Sequence, residues 1–307
     1  MLLLAGLVLG CKHRQPPTIV VITPTGGVEY WETFNREAKA AAPASFHVEL
    51  AAPQSVTDYT EQAHMVEKAI SSSVQGIIVA PSHQLVLTSV LRNAVRAHIP
   101  VVIVGAPIAL PADEYAAFIG WDEEEAGRLA AKRLITSLGG KGEVGIVGVS
   151  PTVESDSLIQ KGFESEIALA PHVKLVGVRY GLSDWARGRQ AVLDLLTEHP
   201  NIRGIFTTDE FSTHAAAYVF NQGTKKRPVL IGISEETNEL TALREGRIDA
   251  LVISNPKDLG ARTMQAILAT ITGAKAGTYS TQLPVQIVDK ESLAGNTVLK
   301  SINNPAT

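Results

Sequence analysis

The chain carries one cysteine, Cys11, among 307 residues. A lone cysteine excludes an internal disulfide framework. Clustered cations are also missing. The longest basic run is Lys225-Lys226-Arg227, within a net charge of −4 from 27 basic and 31 acidic residues. Phosphate binding needs grouped Lys and Arg, so nucleic acid is excluded as a partner. Long apolar runs are absent too: Leu2–Gly10 is the most conspicuous, and it is too short to span a bilayer. No G-x-S-x-G elbow, no G-x-x-x-x-G-K-[ST] loop, no H-E-x-x-H and no Cys/His cluster occurs. The eight histidines are scattered, and His64, His98 and His214 fit helix surfaces. Asp209-Glu210 is an adjacent carboxylate pair, but sequence neighbours rarely face one substrate as acid and base. With no catalytic constellation, no metal site and no cofactor motif, the expectation is a protein that is not an enzyme.

What is present begins with the ends of that apolar run. Val8-Leu9-Gly10-Cys11 is followed by the polar, Pro-containing Lys12–Pro17. The pattern resembles a bacterial lipoprotein signal, which implies residues 1–10 as signal peptide and 11–17 as a tether lipidated at Cys11. No Lys or Arg precedes the run, so the natural start is expected upstream. The resemblance places the body outside the cytoplasm, in the periplasm or cell envelope, held to the membrane by lipid chains.

The body alternates short apolar strands with amphipathic helices. Thr18–Thr23, Phe46–Leu50, Gly76–Ala80 and Ile99–Val104 read as strands, separated by helices over Tyr30–Ala42, around Ala63–Ile70 and over Val86–Ala97. The cycle resumes after Trp121. Helices are expected over Ala126–Leu138, Glu154–Ala168, Ala186–Thr197, Phe211–Gln222, Thr237–Arg244 and Leu259–Thr272. Strands are expected at Val144–Val147, Val173–Val178, Gly204–Thr207, Val229–Gly232 and Ala250–Ile253. Apolar runs without alternation indicate strands buried on both faces, hence parallel sheets sandwiched by helices. The elements are too many for one sheet of ordinary width, so two doubly wound, Rossmann-like α/β lobes are expected. The polar terminal segment carries no clear pattern.

Several stretches, in order and spacing, resemble the ribose/galactose-type periplasmic binding proteins. They are the first strand followed by Tyr30-Trp31, Gly76–Pro81, Ala97–Val102, Phe118–Asp122 with Ala126-Gly127, Lys161–Phe163, His199-Pro200, Phe206–Glu210 and Ile231–Ser234. The resemblance implies a type I fold with lobes joined by three crossing strands. It assigns 18–121 and 255–282 to the N-terminal lobe, and 122–254 and 283–300 to the C-terminal lobe. It also implies a monomer that takes a small polar solute, a sugar or sugar derivative, into the cleft by hinge closure. The solute then passes to an ABC transporter permease. The alternative is a receptor of the same fold that shows its closed form to a membrane kinase or chemoreceptor. A transcription repressor core is excluded, because the residues before the first strand hold no helix-turn-helix.

Candidate ligand contacts cluster after strand ends, where open α/β sheets bind ligands. Tyr30 and Trp31 could stack on a sugar ring or a cation, and Glu29 beside them could bond a hydroxyl or serve the helix start. Trp121 could roof the cleft or pack the hinge. The acids Asp122–Glu125 read as complements to a helix dipole. Trp185 could supply a second aromatic wall, with Asp184 an N-cap. By resemblance, Ser157, Ser234 and Ser254 stand where sugar-binding relatives carry Arg, Asp and Gln, and Gly105-Ala106 replaces an Asp-Arg pair. Thr208-Asp209 stands at the relatives' Asn-Asp, with either residue open to the ligand role. These replacements remove charge-assisted hydrogen bonds and imply a ligand larger or less hydroxyl-dependent than a free pentose.

Overall fold

The computed structural model describes residues 16–223, 227–275 and 277–303. Cys11 and the apolar start lie outside them. The first half runs β1 (Thr18–Ile22), α1 (Glu29–Ala40), β2 (His47–Ala51), α2 (Tyr59–Ser71), β3 (Gly76–Val79), α3 (Gln84–Arg96), β4 (Val101–Val104) and β5 (Ala117–Trp121). The second half runs α4 (Glu123–Ser137), β6 (Gly142–Gly148), α5 (Glu154–Ile167), β7 (Val173–Tyr180), α6 (Trp185–Glu198), β8 (Ile202–Thr207), α7 (Glu210–Gln222), β9 (Val229–Ile233), α8 (Thr237–Arg244) and β10 (Ala250–Ile253). The chain then returns through α9 (Pro256–Ile271), β11 (Thr281–Leu283), β12 (Gln286–Val288), α10 (Lys290–Leu293) and α11 (Thr297–Asn303).

Two six-stranded sheets result, in the orders β11-β5-β4-β3-β1-β2 and β12-β10-β9-β8-β6-β7. Every pairing is parallel except β10 with β12. Strands such as Ile77–Val79 and Val101–Val104 are buried throughout, because helices cover both faces. Each sheet therefore has two apolar cores, one per face. The chain passes between sheets after Trp121, after Ile253 and between Leu283 and Gln286. Trp121 packs against a core of each lobe, so it serves the hinge and still reaches the cleft.

Local signals explain the boundaries. Asp58, Asp122, Asp184, Asp209, Asn255 and Asp289 each cap a helix by accepting the backbone N–H three residues on. Gly139 and Gly140, both at positive φ, close α4. The polar terminus still docks, because Leu293 and Leu299 are buried in the second lobe's core. Val298 packs beside them and Asn296 donates to Gln286 at 3.0 Å.

Close helix packing beside each sheet depends on glycine. A Cβ on Gly127 of α4 would lie 2.0 Å from the Ile159 carbonyl oxygen of α5. One on Gly162 would lie 2.0 Å from that of Glu124, and one on Gly260 of α9 2.5 Å from that of Phe34 in α1. Gly127 and Gly260 are both the fifth residue of the helix that enters a lobe from the hinge, so the two lobes pack by the same device.

Candidate ligand-binding cleft

The sheets turn their carboxyl edges toward each other. The loops after β1, β3, β4, β6, β8, β9 and β10 converge on one cavity of about 150 Å³, the scale of an engineered cavity that admits a benzene ring. In the first lobe, Gln62 fixes this edge from a fully buried position. Its Nε2 donates to the Thr23 and Ala80 carbonyls at 3.2 and 2.7 Å, and its Oε1 accepts from Ser82 N and Oγ at 3.0 and 2.8 Å. In the second lobe, Asp156 ties the loop after β6 to the loop after β8. It accepts from Ser150 N at 3.2 Å and from the Thr208 hydroxyl. Gly148 makes room, since a Cβ there would stand 2.8 Å from both Asp156 oxygens.

The first lobe supplies the apolar wall. Tyr30 and Trp31 meet edge to face at 4.9 Å, Trp31 meets Phe34 at 5.6 Å, and Trp121 stands nearby. Val28, Val104, Gly105 and Ala106 complete this side. The Tyr30 hydroxyl is held by Ser254 Oγ at 3.4 Å, and its pKa is raised by burial and by Glu235.

The second lobe supplies carboxylates: Glu123, Asp156, Asp209, Glu210, Glu235 and Glu236 all line the cavity. Burial is the leading cause of a raised pKa in each. It lifts Glu123 and Glu210 to about 8, Asp156 and Glu235 to about 7 and Glu236 to about 6. Asp209 is raised likewise. Its Oδ1 caps α7 through Ser212 N at 3.0 Å, while its buried Oδ2 has no hydrogen-bond partner.

At the rim the lobes cap each other. Neither α1 nor α8 has a side-chain N-cap of its own. Glu236, at the start of α8, accepts from Tyr30 N of α1 at 3.0 Å. Glu29, at the start of α1, accepts from Thr237 N and Oγ1 of α8, both at 2.9 Å. Each carboxylate thus satisfies orphan donors and the positive end of a helix in the opposite lobe.

The structure gathers Tyr30, Trp31, Gly105, Trp121, Thr208, Asp209, Ser234 and Ser254 around the cavity. Thr208 has its side chain committed to Asp156, and Asp209 keeps an oxygen free, so both line the site in different roles. Three expected contacts stand elsewhere. Ser157 turns its hydroxyl back to the Pro151 carbonyl at 3.0 Å and does not line the cavity. Trp185 is 39% exposed, packed edge-on against Tyr218 with the Arg189 guanidinium over its ring, because α6 begins on the outer face. Glu29 belongs to the rim latch rather than the cavity wall.

Charge reaches the cavity from acids to which the sequence assigns no ligand role: Glu123, Asp156, Glu210, Glu235 and Glu236. A signal existed for Glu123. It falls in register with the buried stripe Ala126, Gly127, Ala130, Ala131 and Leu134, at helical spacing. Asp122-Glu123 and Asp209-Glu210 share one pattern, in which the Asp caps the helix and the next Glu enters the cleft.

A family model described as periplasmic binding protein domain matches residues 19–275. The chain belongs to that family. This binding protein is 25% identical over 286 residues to the D-ribose/D-allose-binding protein of Pseudomonas aeruginosa, covering 89% of each chain. It is 23% identical over 273 residues to the D-allose-binding periplasmic protein of Escherichia coli, covering 86% of this chain and 88% of that one. Among solved structures, a carbohydrate transporter solute binding protein from Agrobacterium radiobacter, in complex with D-arabinose, superposes with a TM-score of 0.88. Identity there is 20%, covering 94% of this chain and 99% of that one. The binding protein thus has the type I fold of two α/β lobes. No helix among its described residues is long and apolar enough to cross a membrane.

Proposed function

We propose that this protein captures a sugar-sized polar solute between its lobes and delivers it to an ABC transporter permease outside the cytoplasm. One observation carries the reading: a ring-sized cavity is walled by the carboxyl edges of two separate sheets, with aromatics on one side and hydrogen-bonding groups on the other. A solute in that position touches both lobes only when they are together, so its binding energy favours closure. The relatives named for D-ribose and D-allose, and the structural neighbour solved in complex with D-arabinose, support a carbohydrate-like ligand. Tyr30, Trp31, Gly105, Trp121, Thr208, Asp209, Ser234 and Ser254 form the contact set, while Glu29 with Glu236 holds the closed rim. A monomer tethered through a lipidated Cys11 completes the reading.

The test is a thermal-shift screen over sugars, cyclitols and their derivatives, followed by small-angle scattering. A ligand at 100 times its Kd adds about 2.7 kcal/mol of stability and contracts the particle. A protein that binds such a solute without contracting would contradict capture by closure.

A further inference from the structure

The charge of the cleft says more about the solute than its shape does. Among the described residues, the cavity wall holds six carboxylates and no Lys, Arg or His. Asp209, only 8% exposed, directs attention within this set: its Oδ2 is buried without any hydrogen-bond partner, so a strong acceptor is left unsatisfied in the wall. An unmatched buried acceptor is costly unless a donor arrives. The facing wall is Tyr30, Trp31 and Trp121, whose ring faces attract cations. A metal ion does not suit the arrangement, because no group of three or more described His, Cys, Asp or Glu side chains could hold one. The acids are spread around a ring-sized space instead.

We propose that the cleft selects a cationic solute, a six-membered sugar or cyclitol ring bearing a protonated amine. The inference rests on the capture reading and specifies its ligand class. The ammonium group sits among the second-lobe carboxylates, with Asp209 Oδ2 as one acceptor, while the ring lies against the first-lobe aromatics. A neutral sugar fills the same space but leaves the negative charges uncompensated.

A proton signature follows. Burial holds Glu236, Asp156, Glu235, Glu123 and Glu210 at about 6 to 8, and their other charged neighbours are also acids: Asp122 and Glu154 by Glu123, Glu29 and Glu239 by Glu236. Near neutral pH the groups at about 7 to 8 are protonated in part and charged in part, and an entering cation displaces the remaining protons. Binding therefore releases protons from the protein and tightens as pH rises from 6 to 7, the range over which the ring amine itself stays protonated.

The experiment uses the intact wild-type protein and matched pairs: D-glucosamine with D-glucose, D-galactosamine with D-galactose, and scyllo-inosamine with scyllo-inositol. Calorimetry is run at pH 6, 7 and 8 in two buffers of different ionisation enthalpy. The expected result is an amine that binds at least tenfold tighter than its hydroxyl partner at pH 7, with proton release and a Kd that falls from pH 6 to pH 7. A hydroxyl partner binding equally well or better overturns the cationic assignment and leaves sugar capture standing. If neither member of any pair binds, the cationic assignment and the capture reading both fall.

Discussion

The two lobes are built alike and furnished differently. Both sheets have the same strand order and are parallel except where β12 joins the second, and each lobe is entered from the hinge by a capped helix whose fifth residue is glycine. Both tie together the loops after their first and third strands in sequence position on the sheet, β1 with β3 and β6 with β8. The first lobe does so with the neutral amide of Gln62, which satisfies carbonyls and a hydroxyl at once. The second does so with the carboxylate of Asp156, which can only accept unless it holds a proton. That choice propagates: one wall is aromatic and apolar, the other acidic. Backbone architecture decides where the cleft lies, and side chains at loop tips decide what it holds.

Breaking the shared packing device should have the largest effect. Gly127→Ala forces a methyl to 2.0 Å from the Ile159 carbonyl, so α4 and α5 must separate at a cost of about 3 kcal/mol or more. Gly260→Ala, at 2.5 Å, should cost less. Urea unfolding of both variants checks the order, and equal losses would show that the lobes tolerate crowding alike.

Removing the aromatic wall comes next. Trp31→Ala should weaken amine and hydroxyl ligands together, by roughly 10- to 100-fold for a lost stacking contact of 1–3 kcal/mol. Glu235→Gln sharpens the contrast, because it should weaken only the amine member of each pair, by about tenfold or more for a charge-assisted bond. Titration calorimetry on both variants separates the walls; parallel losses would mean they do not divide the work.

The rim latch should matter less. Glu29→Ala removes two acceptor contacts to Thr237 and a cross-lobe helix cap of about 1 kcal/mol. Affinity should fall by about fivefold and the liganded particle should be less compact in scattering. Thr237→Ala keeps the backbone contact, so its loss should be smaller.

A stability slope with pH tests the contrast between the lobes as a whole. The raised pKa values of the second-lobe acids mean that the folded protein binds more protons than the unfolded chain between about pH 4.5 and 8. Stability is therefore greatest below the unfolded values and declines as pH rises through the folded ones. His214, raised by its bond to Glu239, acts in the same direction. The ligand-free melting temperature should drop from pH 5 to pH 8, and Asp156→Asn should shallow the drop. Gln62→Glu should steepen it by giving the first lobe the second lobe's chemistry. A flat profile in the wild type would remove the basis for proton release on binding.

How much was legible in the sequence varies with the range of the interaction. Apolar runs, caps and breakers placed nearly every element, because those signals act within a few residues. Tyr30, Gly105 and Thr208 could be placed near a cleft from their positions after strands. Trp185 follows a strand too, yet it lies outside, since the direction of α6 turns it onto Tyr218. The pairing of Glu29 with Thr237 and of Glu236 with Tyr30 spans more than two hundred residues, and no local pattern encodes it.

By itself, then, the sequence determined two α/β lobes, because burial on both faces of a parallel strand leaves an unbroken apolar run. The tertiary structure alone decided that six acids from four separate chain segments share one small space. Their burial next to one another raises their pKa values and sets the charge of the site, and proximity of that kind exists only once the chain has folded.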